Sequence, residues 1–340
     1  MTGPRIVTVD DVALDAASEQ LASGGLIVMP TETVYGLAGS TRDSGALEKI
    51  YKLKGRPGNN PLIAHVLGAD EARGLVHGWN DCCDQLAERF WPGPLTIILQ
   101  RDESVPALAS GGLETLAVRS PSHPVARALM TRFGHPISAP SANRSGDVSP
   151  TCAEHVLSDY LGVEEAGDLV VLDGGPCDVG IESTVLDLSG SDPHILRPGI
   201  VSAEDLAEVI GKVSSPMSMS QGNSPGTATS HYSPHTPMDL LDRTAIEQHL
   251  EAGDEQVAAL LIGGTAPAGN VIILDPDPAT CARKLYSALR ELDATTSNRL
   301  LVELPPPGFQ WDAIRDRLQR ASTQVSMRRS AGGGSSGGSS

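Results

Sequence analysis

Lys54 and Arg56 stand two residues apart in "KIYKLKGRPGNNPLIAHVLGA" (49–69), 21 residues with four cations and no carboxylate in a chain of formal net charge -17. One reading is structural. Lys49, Lys52 and Lys54 close a helix, "SGALEKIYKLKG", whose last carbonyls favour cations and whose left-handed cap is Gly55. The other reading is chemical. Arg56 precedes Pro57 and is therefore extended, so residues 54 and 56 point the same way from a strand-like segment, followed by the amides of Gly58-Asn59-Asn60. Two such cations would clamp a phosphate, Arg bidentately and Lys as a point charge.

Hydroxyl-rich turns supply the other polar candidates. "SAPSANRSGDVSPT" (138–151) sets small residues directly after a strand, so that backbone amides approach a ligand closely while Ser141 and Asn143 donate to phosphate oxygens. "GIESTVLDL" and "ILRPG" add Ser183, Thr184 and an extended Arg197. "PTETVYGLAG" (30–39) reads as a turn in which Glu32 caps a following helix. Gly222-Asn-Ser224-Pro-Gly226 fits the GxSxG pattern of a nucleophile elbow, but Pro225 lies in a polar stretch with no strand before it. His231 and His235 have helical metal-ligand spacing, which Pro234 between them disrupts. There is no Walker A sequence and no glycine fingerprint after a strand.

The elements that must hold these groups alternate in type. A helix over Ala13 to Gly24 leads to the strand "LIVMPT". Further short apolar runs occur at 95–100, 115–120, 136–140, 169–175 and 183–189, with helical patterns at 125–134 and 203–213. This predicts an α/β domain with a twisted mixed sheet over 1–213. Residues 214–237, dense in Pro, Gly, Ser and Thr, read as a connector. Residues 238–322 repeat strand and helix, with a last helix from Trp311 to Ala321, as a small Rossmann-like α/β domain. Residues 323–340 end in the flexible linker "AGGGSSGGSS".

Composition narrows the function classes. With 42 acidic against 25 basic side chains and 3% aromatics, the surface repels polyanions and lacks rings on which to stack bases, so a phosphate ligand needs a local basic pocket. The five cysteines show no metal-ligand spacing and read as reduced thiols. No signal sequence or membrane-spanning run is visible, and a cytoplasmic location with no membrane partner is expected.

Taken in order, "PTETVYGL", "KLKGRPGNNPL", "FWPGPLT", "SAPSAN" and "GIESTV…LRPG" resemble the YrdC-like family of threonylcarbamoyl-AMP synthases, and the second domain resembles the longer, two-domain form. The resemblance implies that ATP, L-threonine and bicarbonate give threonylcarbamoyl-AMP, pyrophosphate and water. A separate tRNA threonylcarbamoyl transferase would then act on adenosine 37 of tRNA, which this enzyme itself would touch at most indirectly. It also implies that Lys54, Arg56, Ser141 and Asn143 form the catalytic KxR and SxN signature. ATP is expected at Arg56, Asn60, Thr115, Ser141, Ser149, Arg197 and Tyr232, the last reaching in from the connector as a lid. Threonine is expected at Thr33, His65, Arg119, Ala139 and Ser183, although His65 taken alone reads equally as a core histidine. Mg²⁺ would arrive with ATP, with no dedicated metal cage. Competing expectations are an RNA-binding module of the same fold, a serine hydrolase using Ser224, and a relative that only hydrolyses nucleotides.

Overall fold

A computed structural model describes residues 3–214, 232–252, 256–265 and 269–322. In the first domain the strands are β1 (Arg5–Thr8), β2 (Ile27–Met29), β3 (Gly36–Ser40), β4 (Ile63–His65), β5 (Val76–His77), β6 (Leu95–Arg101), β7 (Thr115–Arg119), β8 (Ile137–Ser138), β9 (Val170–Asp173), β10 (Thr184–Asp187) and β11 (His194–Arg197). Its helices are α1 (Asp11–Ala22), α2 (Ser44–Lys54), α3 (Ala69–Arg73), α4 (Asp81–Phe90), α5 (Pro124–Phe133), α6 (Ala153–Asp159) and α7 (Ala203–Ile210). The second domain holds β12 (Met238–Leu241), α8 (Arg243–Glu251), β13 (Val257–Ile262), β14 (Asn270–Leu274), α9 (Pro278–Asp293), β15 (Arg299–Glu303) and α10 (Asp312–Ala321).

The large sheet runs β1-β9-β2-β3-β8-β4-β7-β6-β10-β11, with β5 branching from β6. The sheet combines parallel pairs such as β4 with β7 and antiparallel pairs such as β6 with β7, as expected of a mixed sheet. Two helices show how local chemistry sets the boundaries. Asp43 caps α2 by accepting from the Gly45 amide at 2.8 Å, and Gly55, at φ 62°, ends it in the left-handed conformation that costs glycine least. Ser202 and Asp205 form a reciprocal capping box at the start of α7.

The small sheet is wholly parallel, in the order β12-β15-β13-β14. Leu285, Leu289, Ile314 and Leu318 of α9 and α10 belong to one apolar cluster with Leu240, Leu260 and Leu300 of the strands, and this cluster also includes Val34, Val148 and Ile181 of the first domain. The two domains therefore share a core. Among the described residues no helix is long and apolar enough to cross a membrane.

Some expectations need correction. No helix follows Glu32; the chain passes through a turn into β3, and the carboxylate instead accepts from the Ser122 amide at 3.2 Å. The segment around residues 54–56 is not strand-like, because α2 runs through Lys54. The Asn60 amide is not free, since it bonds the Pro57 carbonyl at 3.0 Å. The last helix starts at Asp312, after a 3-10 turn over Phe309–Trp311. Strands β1, β3, β4, β5 and β12 were not anticipated; β3, "GLAGS", is too rich in small residues to carry an apolar alternation.

Candidate active site

Strand and turn ends of the large sheet converge on one cavity lined by Thr31, Thr33, Arg56, His65, Arg119, Ala139, Ser141, Glu182, Arg197 and Tyr232 among others. Among the described residues its volume is about 40 Å³, room for a few waters. Eight of the sequence-predicted residues border it directly: Thr33, Arg56, His65, Arg119, Ala139, Ser141, Arg197 and Tyr232. The supporting groups lie behind them.

On one side the chain builds a cationic wall. Arg56 is held by its own loop: Nε donates to the Asn60 carbonyl at 3.0 Å, and Nη2 to Asn60 Oδ1 at 2.6 Å and the Pro61 carbonyl at 2.8 Å. Asn60 is thus an orienting partner of the guanidinium. Lys54 is buried, and its ammonium donates to the Ser141 carbonyl at 2.5 Å and to the Asn143 carbonyl. The last residue of α2 therefore fastens the small-residue loop that faces the cavity. Burial, with the Arg56 charge adding to it, holds the Lys54 pKa well below the ordinary lysine range. Burial likewise lowers Arg56 to about 10, with Arg197 contributing in the same direction.

Asn143 turns its amide nitrogen to the Arg144 and Asp147 carbonyls at 2.7 and 2.8 Å, while its buried Oδ1 has no hydrogen-bond partner among the described residues. Arg197, at the end of β11, donates to the Ser183 carbonyl from Nε (3.1 Å) and Nη2 (3.0 Å) and to the Ser183 hydroxyl (3.2 Å). That hydroxyl also meets Thr96 Oγ1 at 2.7 Å. Ser183 is positioned by the wall rather than lining it.

The opposite side is built on β4 and β7, whose register sets His65 beside Arg119. Arg119 Nη1 donates to Thr33 Oγ1 at 2.9 Å. Thr31 gives its proton to the Val34 carbonyl at 2.6 Å, so the 2.8 Å contact between the two threonine hydroxyls is a bond that Thr31 accepts. Arg119 Nη2 lies 2.7 Å from Glu32 Oε1 as an ion pair, and among the described residues neither buried atom has an aligned hydrogen bond. Burial, helped by Arg119, pushes His65 down to about 3. The imidazole is neutral at physiological pH, and Nδ1 lies 3.2 Å from the Ile63 carbonyl.

Glu182, which the sequence did not mark, is the acidic group of the cavity wall. Its Oε1 accepts from Ser149 Oγ at 2.6 Å, and its Oε2 from Tyr286 at 2.9 Å and from Arg317 Nε at 2.8 Å. Burial alone would raise this carboxyl; Arg317, Arg197 and the hydroxyl of Ser149 outweigh it and hold it at about 2. Tyr232 lies under 2% exposed against the same node, stacked on Tyr286 at 5.8 Å and faced by Arg317 at 5.4 Å. Thr115 is not brought in: it starts β7, whose other end carries Arg119, four residues and about 13 Å away along the strand. His235 lies between Asp293 (3.4 Å) and Asp147 (3.9 Å), while His231 and Ser224 fall outside the described residues.

Comparison with known proteins gives a consistent picture. Residues 19–199 match the profile of the Sua5, YciO and YrdC proteins, described as "Telomere recombination", and residues 201–323 match the C-terminal domain of threonylcarbamoyl-AMP synthase. That division places α7 with the second domain, whereas the pairing of His194 with Ser214 ties the chain beyond α7 back to the first sheet. The chain is 36% identical to the threonylcarbamoyl-AMP synthase of Pyrococcus abyssi, over 92% of its length and 95% of the relative's. It is also 36% identical to that of Bacillus subtilis, over 93% and 94%. A solved structure of P. abyssi Sua5 complexed with L-threonine matches with a TM-score of 0.86 at 35% identity, covering 94% of this chain and 97% of that one.

Proposed function

This chain belongs to the Sua5/YciO/YrdC family in its two-domain form, the threonylcarbamoyl-AMP synthases, and from that premise we propose how its residues divide the reaction. The activity is that of a threonylcarbamoyl-AMP synthase serving tRNA modification, and the class of transfer is that of a nucleotidyltransferase. The amine of L-threonine joins bicarbonate with loss of water to give a carbamate. A carbamate oxygen attacks the α-phosphorus of ATP, and pyrophosphate leaves.

The observation that carries this reading is the convergence of Arg56, Arg119 and Arg197 on one buried cavity in an otherwise acidic protein. An anionic nucleophile and a polyphosphate repel each other, so pairing them needs fixed cations in a dry site. Arg119 suits the threonine carboxylate, because its guanidinium borders the cavity and its five N–H groups exceed the contacts it makes to Gly93, Thr33 and Glu32. Thr33 and neutral His65 complete a polar, uncharged lining next to it. Arg56 and Arg197 face the triphosphate, with Ser141 donating from the loop that Lys54 fastens. Lys54, in this reading, orients the phosphate-binding backbone from behind.

Tyr232 serves as a lid. Buried against the cavity wall, the Tyr232 side chain gives way to admit a nucleotide, and its return excludes the water that would destroy the carbamate. Magnesium carried on the phosphates of ATP would supply charge neutralisation there. Glu182, the carboxylate of the wall, is engaged by Ser149, Tyr286 and Arg317.

Pyrophosphate release from ATP, measured with L-threonine and bicarbonate omitted in turn, tests the function. Dependence on both, abolished by chelating magnesium, is expected. Release that ignores threonine would instead favour simple nucleotide hydrolysis.

A further inference from the structure

Arg317 sits on α10, in the second domain, and its side chain is completely buried. Almost everything it touches belongs elsewhere. Nε donates to Glu182 Oε2 at 2.8 Å, Nη1 to the Pro198 carbonyl at 2.9 Å, and Nη2 approaches the Glu182 carbonyl at 3.3 Å. Within its own helix it meets only Asp316, at 2.8 Å.

Two consequences follow from these contacts. Glu182 shares the cavity wall with Arg56 and Arg197, and a bare carboxylate there would repel a triphosphate and draw Arg197 to itself. A guanidinium 2.8 Å away cancels that charge in a site where water cannot. The second contact, to the carbonyl of Pro198, fixes the backbone immediately after Arg197.

We propose that Arg317 is a positioning residue for the ATP half of the site, contributed by the second domain: by pairing with ionised Glu182 it offsets that charge, so that Arg56 and Arg197 can present theirs to the phosphates. This rests on the assignment of Arg56 and Arg197 to ATP made above. It gives the second domain an electrostatic part in substrate binding, beyond packing.

The test is calorimetric titration of the full-length protein, with ATP and with L-threonine separately, for wild type, Arg317→Met, Glu182→Gln and the double variant. Arg317→Met is expected to weaken ATP at least about tenfold, while threonine affinity changes far less. Adding Glu182→Gln should recover most of the lost ATP affinity, since no bare carboxylate remains. A double variant as weak as Arg317→Met, or parallel loss of both ligands, would reduce Arg317 to an interdomain anchor and overturn the proposal. Should Arg317→Met fail to fold, Glu182→Gln alone decides: ATP binding as tight as wild type or tighter supports the charge argument, and weaker binding refutes it. Wild-type protein that binds threonine but not ATP would instead remove the site assignment on which the proposal stands.

Discussion

At the scale of single residues, the site gathers buried cations, three of which, Lys54, Arg56 and Arg197, are held in part by backbone carbonyls. Lys54 and Arg56 were both marked by the acid-free run 49–69, yet their tasks differ. Arg56 faces the cavity, and Lys54 grips the loop of Ser141 and Asn143 from behind. Substituting either by Ala is expected to cost roughly 3 kcal/mol in the barrier, about a hundredfold in turnover. Arg56→Lys should rescue little, because a point charge cannot reproduce the fork that spans Asn60 and Pro61. Steady-state pyrophosphate release with a circular-dichroism control checks both. His65 supplies a pH prediction. Its folded pKa of about 3 lies below the unfolded value, so the unfolded chain binds the proton first. Stability is full above about pH 6.5 and falls by about 1.4 kcal/mol per unit as pH drops toward the folded value. Denaturant midpoints followed from pH 7 to 5 should slope less in His65→Gln than in wild type; equal slopes would show that His65 does not carry the effect.

Elements show which parts of this were legible in sequence. Helix α2 with its Gly55 cap, the β6 and β7 runs, and α9 all announce themselves by local periodicity and end signals. Strands β3 and β4 do not: one is built of small residues and the other has three residues, and each exists because neighbouring strands pair with it. Glu182 was invisible for a related reason. Its partners Arg317 and Tyr286 lie 135 and 104 positions away, and nothing near Glu182 in sequence points to them. Glycine 180 records how closely the elements approach. It holds φ 79°, and a Cβ there would lie 2.5 Å from the Arg283 backbone of α9. Gly180→Ala should therefore loosen α9 from the first domain, lowering unfolding free energy by 2 kcal/mol or more, roughly. Thermal unfolding and the rate of proteolytic separation of the domains measure this; an unchanged melting temperature would contradict so tight a contact.

For the whole molecule, charge distribution is the governing fact. A chain of formal net charge -17 gathers guanidiniums at one cavity, an arrangement expected to admit a nucleotide and to repel extended nucleic acid. Purified protein should retain tRNA only weakly at physiological salt, in the non-specific range or below it, by fluorescence anisotropy. Tight, salt-resistant binding would place a nucleic-acid surface on the molecule after all. The domains themselves are joined by more than the shared apolar cluster. Arg290 forks onto Asp159 with two bonds of 2.7 Å, and Thr151 meets Ser287 at 3.0 Å.

The Glu182 node also sets a rule for hybrids. Since the acid sits on one domain and its guanidinium on the other, the halves of two relatives are interchangeable only when the incoming second half offers a cation at that point in its last helix. A chimera that ignores this would leave that buried carboxylate without its guanidinium.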